Sequence, residues 1–368
     1  MEIYLYIVAA VLIFGLLMPQ KGPERKYYIA LMTVIHAFVC GLRYQFLTGD
    51  LHKYYYTFLN SGTYGWFSEE LLAEGRNTGF MFLNKLVNLL SGGNFQIFLI
   101  VIAVVTHVIL GYVIYRYSTA PWLSYLIWNC MTFYVFGFSA IKQALAMSFV
   151  LLAFVGVAER NLKLYLVAMA LAGAFHVPAL IFLPSYWIAS QKVDLLTLIV
   201  YAIAGTVLYI FRNQFLELIM SFYYEDDDLG FVYSGEIGSR FIMILGFALF
   251  SLLLTGLPDR DYGKLFHLMA IAAILQMLAG FNNIFTRLAD YYYQFSVLYL
   301  PMLFFPKRDK PQKCLIRPAF PFNQRSLKFF SIVLVAFLLW YYYALCLSTT
   351  IAYETDNYLN FRFMWDVK

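Results

Sequence analysis

The chain has 368 residues, of which 62% are hydrophobic, 20% aromatic and only 13% charged, with a net charge of +5. Soluble domains carry about 25% charged residues, so this composition, with its mean hydropathy of +0.69, excludes an ordinary soluble enzyme. Its apolar runs are continuous and do not alternate, which excludes a β-barrel and leaves an all-α, polytopic integral membrane protein. The positive excess is local and does not point to nucleic acid. Cys40, Cys130, Cys314 and Cys346 stand alone, without the spacing of a metal site.

Taken in order, the apolar stretches predict spans at residues 3–18, 27–42, 94–115, 121–137, 139–157, 163–175, 177–189, 195–211, 239–257, 264–281, 286–305 and 327–347. That makes about twelve membrane helices in a single transmembrane domain. The first run lacks a basic leader and a small-residue cleavage site, so it is expected to stay as a span. The pieces 163–175 and 177–189 are each too short to cross alone. His176-Val177-Pro178 lies at their join, and proline there predicts two half-helices or a sharply bent hairpin meeting at His176. Residues 80–90 are amphipathic, with Asn84, Lys85 and Asn88 among apolar neighbours, and are expected at the membrane interface.

Orientation follows from basic residues in short loops. The stretch 306–328 holds Lys307, Arg308, Lys310, Lys313, Arg317, Arg325 and Lys328 against one acid, Asp309, and is expected to be cytoplasmic. Counting back, Arg260, Lys264 and Lys192 also fall inside; Arg160, Lys163 and Arg116 do so if 163–189 is a hairpin, and Lys21, Arg25 and Lys26 if residues 80–90 are interfacial as well. Residues 43–93, with their interfacial helix, and 212–238 then form large extracytoplasmic loops, and 306–326 a basic cytoplasmic one. His176, 137–143 and 282–290 open on the outer face as well.

On that face lie four cations at the outer ends of four spans: Arg43, Lys142, Arg240 and Arg287. Charges at membrane depth face a cavity or a partner, and guanidinium suits phosphate, so a diphosphate is a natural client. Lys142-Gln143 opens a helix, where free amides add to the anion site. Asp290, one turn after Arg287, is a competing partner for it. His176 at the helix break is the first candidate for a general base, and Asp50 in Gly49-Asp50 the second. His36 and His107 lie on apolar faces and read as structural. Asp226 and Asp228 read as a solvated acidic loop, so neither metal nor cofactor is expected. Tyr54, Tyr291 and Tyr292 are candidates for stacking against sugar rings, within a wider group that includes Tyr64, Trp66, Tyr223, Tyr224 and Tyr233.

The order of these motifs resembles the EpsG family of Wzy-type bacterial polysaccharide polymerases. It is carried by Gly41-Leu42-Arg43-Tyr44 with Gly49-Asp50, then Ser139-Ala140-Ile141-Lys142-Gln143-Ala144, then Phe175-His176-Val177-Pro178-Ala179, then Arg287 ahead of three tyrosines. Lys142 stands where the family usually has arginine, and Asn77-Thr78-Gly79 lacks an expected Glu before the glycine. The resemblance implies a GT-C-like membrane glycosyltransferase on the outer face of the bacterial cytoplasmic membrane. It would polymerise undecaprenyl-diphosphate-linked oligosaccharide repeat units into capsular, exo- or O-antigen polysaccharide, with a chain-length regulator as partner. Arg43, Lys142, Gln143, Arg240 and Arg287 would hold the diphosphate. A lipid-linked oligosaccharide flippase would use the same cations but is expected to show repeat symmetry. An acyltransferase would leave the cations without a purpose, and an O-antigen ligase differs only in its acceptor.

Overall fold

The computed structural model describes residues 2–73, 77–221, 238–257, 260–306, 324–352 and 361–366, and within them the chain is helical, with a single β-bridge between Arg43 and Phe363. Glu74, Arg76, Tyr223, Tyr224, Asp226, Asp228, Tyr233 and the basic residues 307–317 lie outside the described residues.

The chain forms two compact units. The first is Met1–Leu152 with Ala170–Val177 and Phe330–Lys368; the second is Ala153–Met169 with Pro178–Phe329. The first unit contains α1 (Glu2–Leu17), α2 (Arg25–Gly41), α3 (Gly49–Thr63), α4 (Glu69–Ala73), α5 (Thr78–Ser91), α6 (Phe95–Tyr117), α7 (Pro121–Cys130) and α8 (Phe133–Phe136). Local chemistry sets several of these boundaries. The Asn94 side chain accepts from the Gln96 amide and starts α6, Pro121 opens α7, and Gly92 in the left-handed region closes α5. The core of this unit is the pairing of α2 with α6. There His36 and His107 are buried; His36 Nδ1 donates to the Met32 carbonyl (2.7 Å), and its Nε2 accepts from Asn129 Nδ2 (2.9 Å).

Two further helices, α9 (Ile141–Glu159) and α10 (Leu162–Phe175), each have residues assigned to both units. α10 stops at Phe175, and the chain continues as a 3-10 turn over Val177–Phe182 and a short α11 (Ser185–Ile188). The break therefore falls at His176, where the proline places it. The second unit adds α12 (Leu195–Ile210), α13 (Arg212–Met220), α14 (Ser239–Thr255), α15 (Arg260–Met277), α16 (Ile284–Tyr293) and α17 (Ser296–Phe304). α18 (Gln324–Ala352) closes the series.

Among the described residues, four helices are long and apolar enough to cross a membrane: Phe95–Tyr117, Ile141–Glu159, Tyr262–Gly280 and Ser326–Cys346. A fifth follows if α12 and α13, bent by 78°, form one broken span. The other expected spans correspond to shorter helices. Residues 121–137 are not one helix. α7 ends at Cys130, and Thr132 takes a left-handed conformation (φ 66°) before α8. Likewise 286–305 is cut at Gln294-Phe295 into α16 and α17. Both breaks fall at polar residues, Thr132 and Gln294, set among buried apolar neighbours, and so brief an interruption did not end the apolar pattern.

α5 is amphipathic in an unexpected sense. Lys85 and Asn88 are buried, while Leu86, Leu89 and Leu90 are exposed. The C-terminal carbonyls of α3 have no helical donors of their own. Lys85 Nζ donates to Ser61 O (3.3 Å) and to Tyr64 O, and Asn88 Nδ2 to Phe58 O (2.8 Å). Lys85 thus caps α3, Asn88 binds one of its inner carbonyls, and the exposed leucines of α5 face outward.

Candidate functional site

The first unit gathers Arg43, Asp50, Tyr54, Lys142, Gln143 and His176. Arg43 follows the end of α2 and is 1% exposed. Its Nη1 donates to the carbonyl of Cys40 and lies 3.4 Å from Cys40 Sγ, and its guanidinium sits 5.5 Å from the Phe138 ring centre. Its Nε is buried without a hydrogen-bond partner, and no carboxylate among the described residues pairs with it. Burying a guanidinium is costly unless an anion compensates it, so this environment is suited to a negatively charged ligand.

The segment that follows Phe138 carries the neighbouring groups. Ser139 Oγ donates to Asp50 Oδ2 (2.9 Å), which fixes the carboxylate at the start of α3. Lys142, in the first turn of α9, holds its ammonium 5.6 Å from the Tyr54 ring and 6.0 Å from Phe80. Aromatic faces attract a cation but do not neutralise it, so Lys142 remains available to an anion. Gln143 is buried beside it in the same turn, whose leading amides have no helical acceptor.

His176 joins this group through α5. An ideal Cβ on Gly79 would lie 2.7 Å from Ala174 Cβ and 3.0 Å from the Ala174 carbonyl oxygen. The start of α5 therefore rests directly on the last turn of α10: Gly79 lies one residue before Phe80, and Ala174 two residues before His176. Phe149 stacks on Phe175 at 5.3 Å and fixes the same turn from α9. The break at His176 and the Lys142 cradle are thereby held together by one backbone contact. Gly79→Ala is expected to push α5 and α10 apart, at about 1–3 kcal/mol of overpacking, and to lower the activity of the site at least tenfold. Ala174→Gly in the same chain should restore part of it; activity of Gly79→Ala equal to the parent protein would show that this contact does not govern the site.

The second unit holds Arg240, Arg287, Tyr291 and Tyr292. Arg240 pairs with the buried carboxylate of Asp290 and lies 5.0 Å from the Tyr293 ring. The competing partner for Asp290 is thus Arg240 as well as Arg287, a pairing across 50 residues that the i, i+3 spacing did not suggest. Tyr291 and Tyr292 are packed inside this unit, and Tyr292 OH donates to Ile181 O (2.6 Å) while accepting from Ser185 Oγ (3.3 Å). In this conformation neither ring presents a face to a sugar. Tyr292 instead anchors the irregular segment after His176.

Several contributors were not singled out in the sequence. Ser139 and Phe138 stood next to a noted lysine but had no chemistry of their own. Phe80 read as the start of an interfacial helix, and Gly79 was noted only for the glutamate missing before it. Gln96 carries no motif, yet its Nε2 donates to Gly41 O (2.6 Å) and Arg43 O (3.1 Å). Among the described residues no group of three His, Cys, Asp or Glu side chains is arranged to hold a metal ion.

Over residues 26–363 the sequence matches the EpsG family. The chain belongs to the EpsG family. That family is bacterial and consists of Wzy-type polymerases, so membership associates this chain with polysaccharide polymerisation at a membrane, in keeping with its apolar helices. No match was found among curated proteins or among solved structures. In this EpsG-family chain the motif residues around Arg43, Lys142 and His176 come from distant stretches of sequence and lie in one compact unit.

Proposed function

We propose that this protein polymerises oligosaccharide repeat units carried on undecaprenyl diphosphate, at the outer face of the bacterial cytoplasmic membrane. The observation that carries the reading is Arg43, a buried guanidinium with an orphaned Nε and no acidic partner among the described residues, in the same compact unit as Lys142, which has no carboxylate partner among the described residues either. A diphosphate leaving group supplies the missing anion. As the glycosidic bond to the carrier breaks, charge accumulates on the departing phosphate, and cations already in place stabilise it without rearrangement. The acceptor sugar hydroxyl attacks the anomeric carbon of the donor and must lose its proton. His176 is the first candidate to take it and Asp50, oriented by Ser139, the second. Tyr54, whose ring already faces Lys142, is placed to stack on a sugar next to the diphosphate.

The test is reconstitution. Purified protein in liposomes, given lipid-linked repeat units, should yield a ladder of polymer bands, and Lys142→Arg should retain it because the charge is kept and a fork is gained. Repeat units that cross the bilayer without lengthening would make the protein a flippase; transfer only to a lipid A core would make it a ligase. For the outer-face placement, a cysteine at the exposed Asn60 should label from outside intact cells and one at position 312 should not. Protection of the cysteine at position 60 would remove the extracytoplasmic site.

A further inference from the structure

We propose that the C-terminal residues 361–366 are a strap that positions Arg43 for the diphosphate, an inference that rests on the function proposed above. These residues come after α18, more than 300 positions from the loop they meet, and both belong to the first unit. Phe363 forms an antiparallel bridge with Arg43. The Tyr44 amide donates to Arg362 O (2.7 Å) and the Met364 amide to Leu42 O (2.9 Å). In this pattern Arg43 and Phe363 are a non-hydrogen-bonded pair, the closer of the two antiparallel kinds, with both side chains on one face.

The strap completes the hydrogen bonding of an irregular segment. Gly41 O and Arg43 O accept from Gln96, Leu42 O accepts from the strap, the Leu42 amide returns to Phe38 O, and the Tyr44 amide donates to the strap. Buried backbone groups need such partners, and here they come from α6 on one side and the chain terminus on the other. A residue at the end of a helix, held from two directions, has little freedom in its Cα–Cβ direction, and that direction aims the guanidinium.

Aromatic contacts fasten the strap. Phe361 meets Tyr4 at 5.9 Å and Phe138 at 6.0 Å, and Phe138 is the ring beneath the Arg43 guanidinium. Phe363 meets Phe38 at 6.4 Å and is stacked on Trp365 at 4.6 Å. The Phe363 amide donates to Asp366 Oδ2 (2.8 Å), which closes the turn. The strap therefore touches the backbone of Arg43 and the ring that supports its charge. It acts through Arg43 and makes no claim on the substrate itself.

The Met364 side chain is 44% exposed, so its amide can be tested apart from its packing. The probe is farnesyl diphosphate, with binding measured by calorimetry on full-length protein in detergent and folding followed by thermal melting. Met364→Ala keeps the amide and should leave Kd unchanged. Met364→Pro, and a chain ending at residue 360, should weaken Kd about 10- to 100-fold, the usual effect of misplacing a binding group by about 1 Å. In an Arg43→Ala background the same two changes should add less than about twofold, because the group they position is gone. Equal losses with and without Arg43, unchanged binding, or tighter binding after truncation would each overturn the strap. If Arg43→Ala and Lys142→Ala themselves leave Kd unaltered, the diphosphate reading fails and the strap loses its role in binding. Should Arg43→Ala weaken binding while Met364→Pro does not, the strap alone fails. If the shortened chain does not fold, the Met364→Pro and Met364→Ala pair decides.

Discussion

Replacing His176 by Gln is expected to lower the rate of polymer formation about 10²- to 10⁴-fold, the usual contribution of general acid–base catalysis, while protein level and melting temperature stay near those of the parent. The residue is 9% exposed and stands where α10 ends, its amide bonded to Ala172 O (2.9 Å), before the 3-10 turn of Val177–Phe182. A helix end at membrane depth leaves carbonyls without donors, an expensive arrangement unless a cavity or ligand uses it. Glutamine keeps a comparable shape and hydrogen-bonding capacity but does not accept and release a proton. The rise in rate with pH that deprotonation of a base produces should therefore disappear in the variant. The assay is elongation of lipid-linked repeat units by purified protein, normalised to folded protein. Near-normal turnover by His176→Gln would end its assignment as base and pass the role to Asp50, whose replacement by Asn should then show the full loss.

The second large effect is expected at Arg43. Arg43→Met should abolish polymerisation, by about 10²- to 10³-fold or more, as for the loss of one pre-placed stabilising donor. Its melting temperature should nonetheless be equal to or above that of the parent. The side chain is buried, lacks an acidic partner among the described residues and leaves Nε unsatisfied, so in the absence of substrate its charge is a burden on the fold. Replacing buried charges by apolar side chains of similar volume is often neutral or stabilising by about 1–4 kcal/mol. Methionine also fits over the Phe138 ring, where sulfur contacts aromatic edges well. A stable, inactive variant is the signature of a residue retained for its ligand. A variant that melts much earlier would mean that Arg43 is a structural donor to Cys40 O, and an active one would remove it from the diphosphate site.

Much of this protein is legible in its sequence for a plain physical reason. Long apolar runs have no stable place but a bilayer or a core, so the all-helical membrane class follows from composition. Proline denies the helix an amide, so the stop before His176 follows from His176-Val177-Pro178. The order of the Arg43, Lys142 and His176 motifs was enough to suggest the EpsG family. Tertiary structure alone decided the rest, because it depends on contacts between residues far apart in the chain. Only the fold shows that Ser139 holds Asp50, that Gly79 seats α5 on Ala174, and that Asp290 answers Arg240. The breaks at Thr132 and Gln294 are marked only by one or two polar residues among buried apolar neighbours, too brief an interruption to end an apolar run. Residues 80–90 were expected at the membrane interface, and that Lys85 and Asn88 are buried against α3 was beyond periodicity, which gives a face but not what covers it. The strap is the extreme case: two backbone hydrogen bonds, which any residue but proline would permit, join residues 362 and 364 to the neighbours of Arg43.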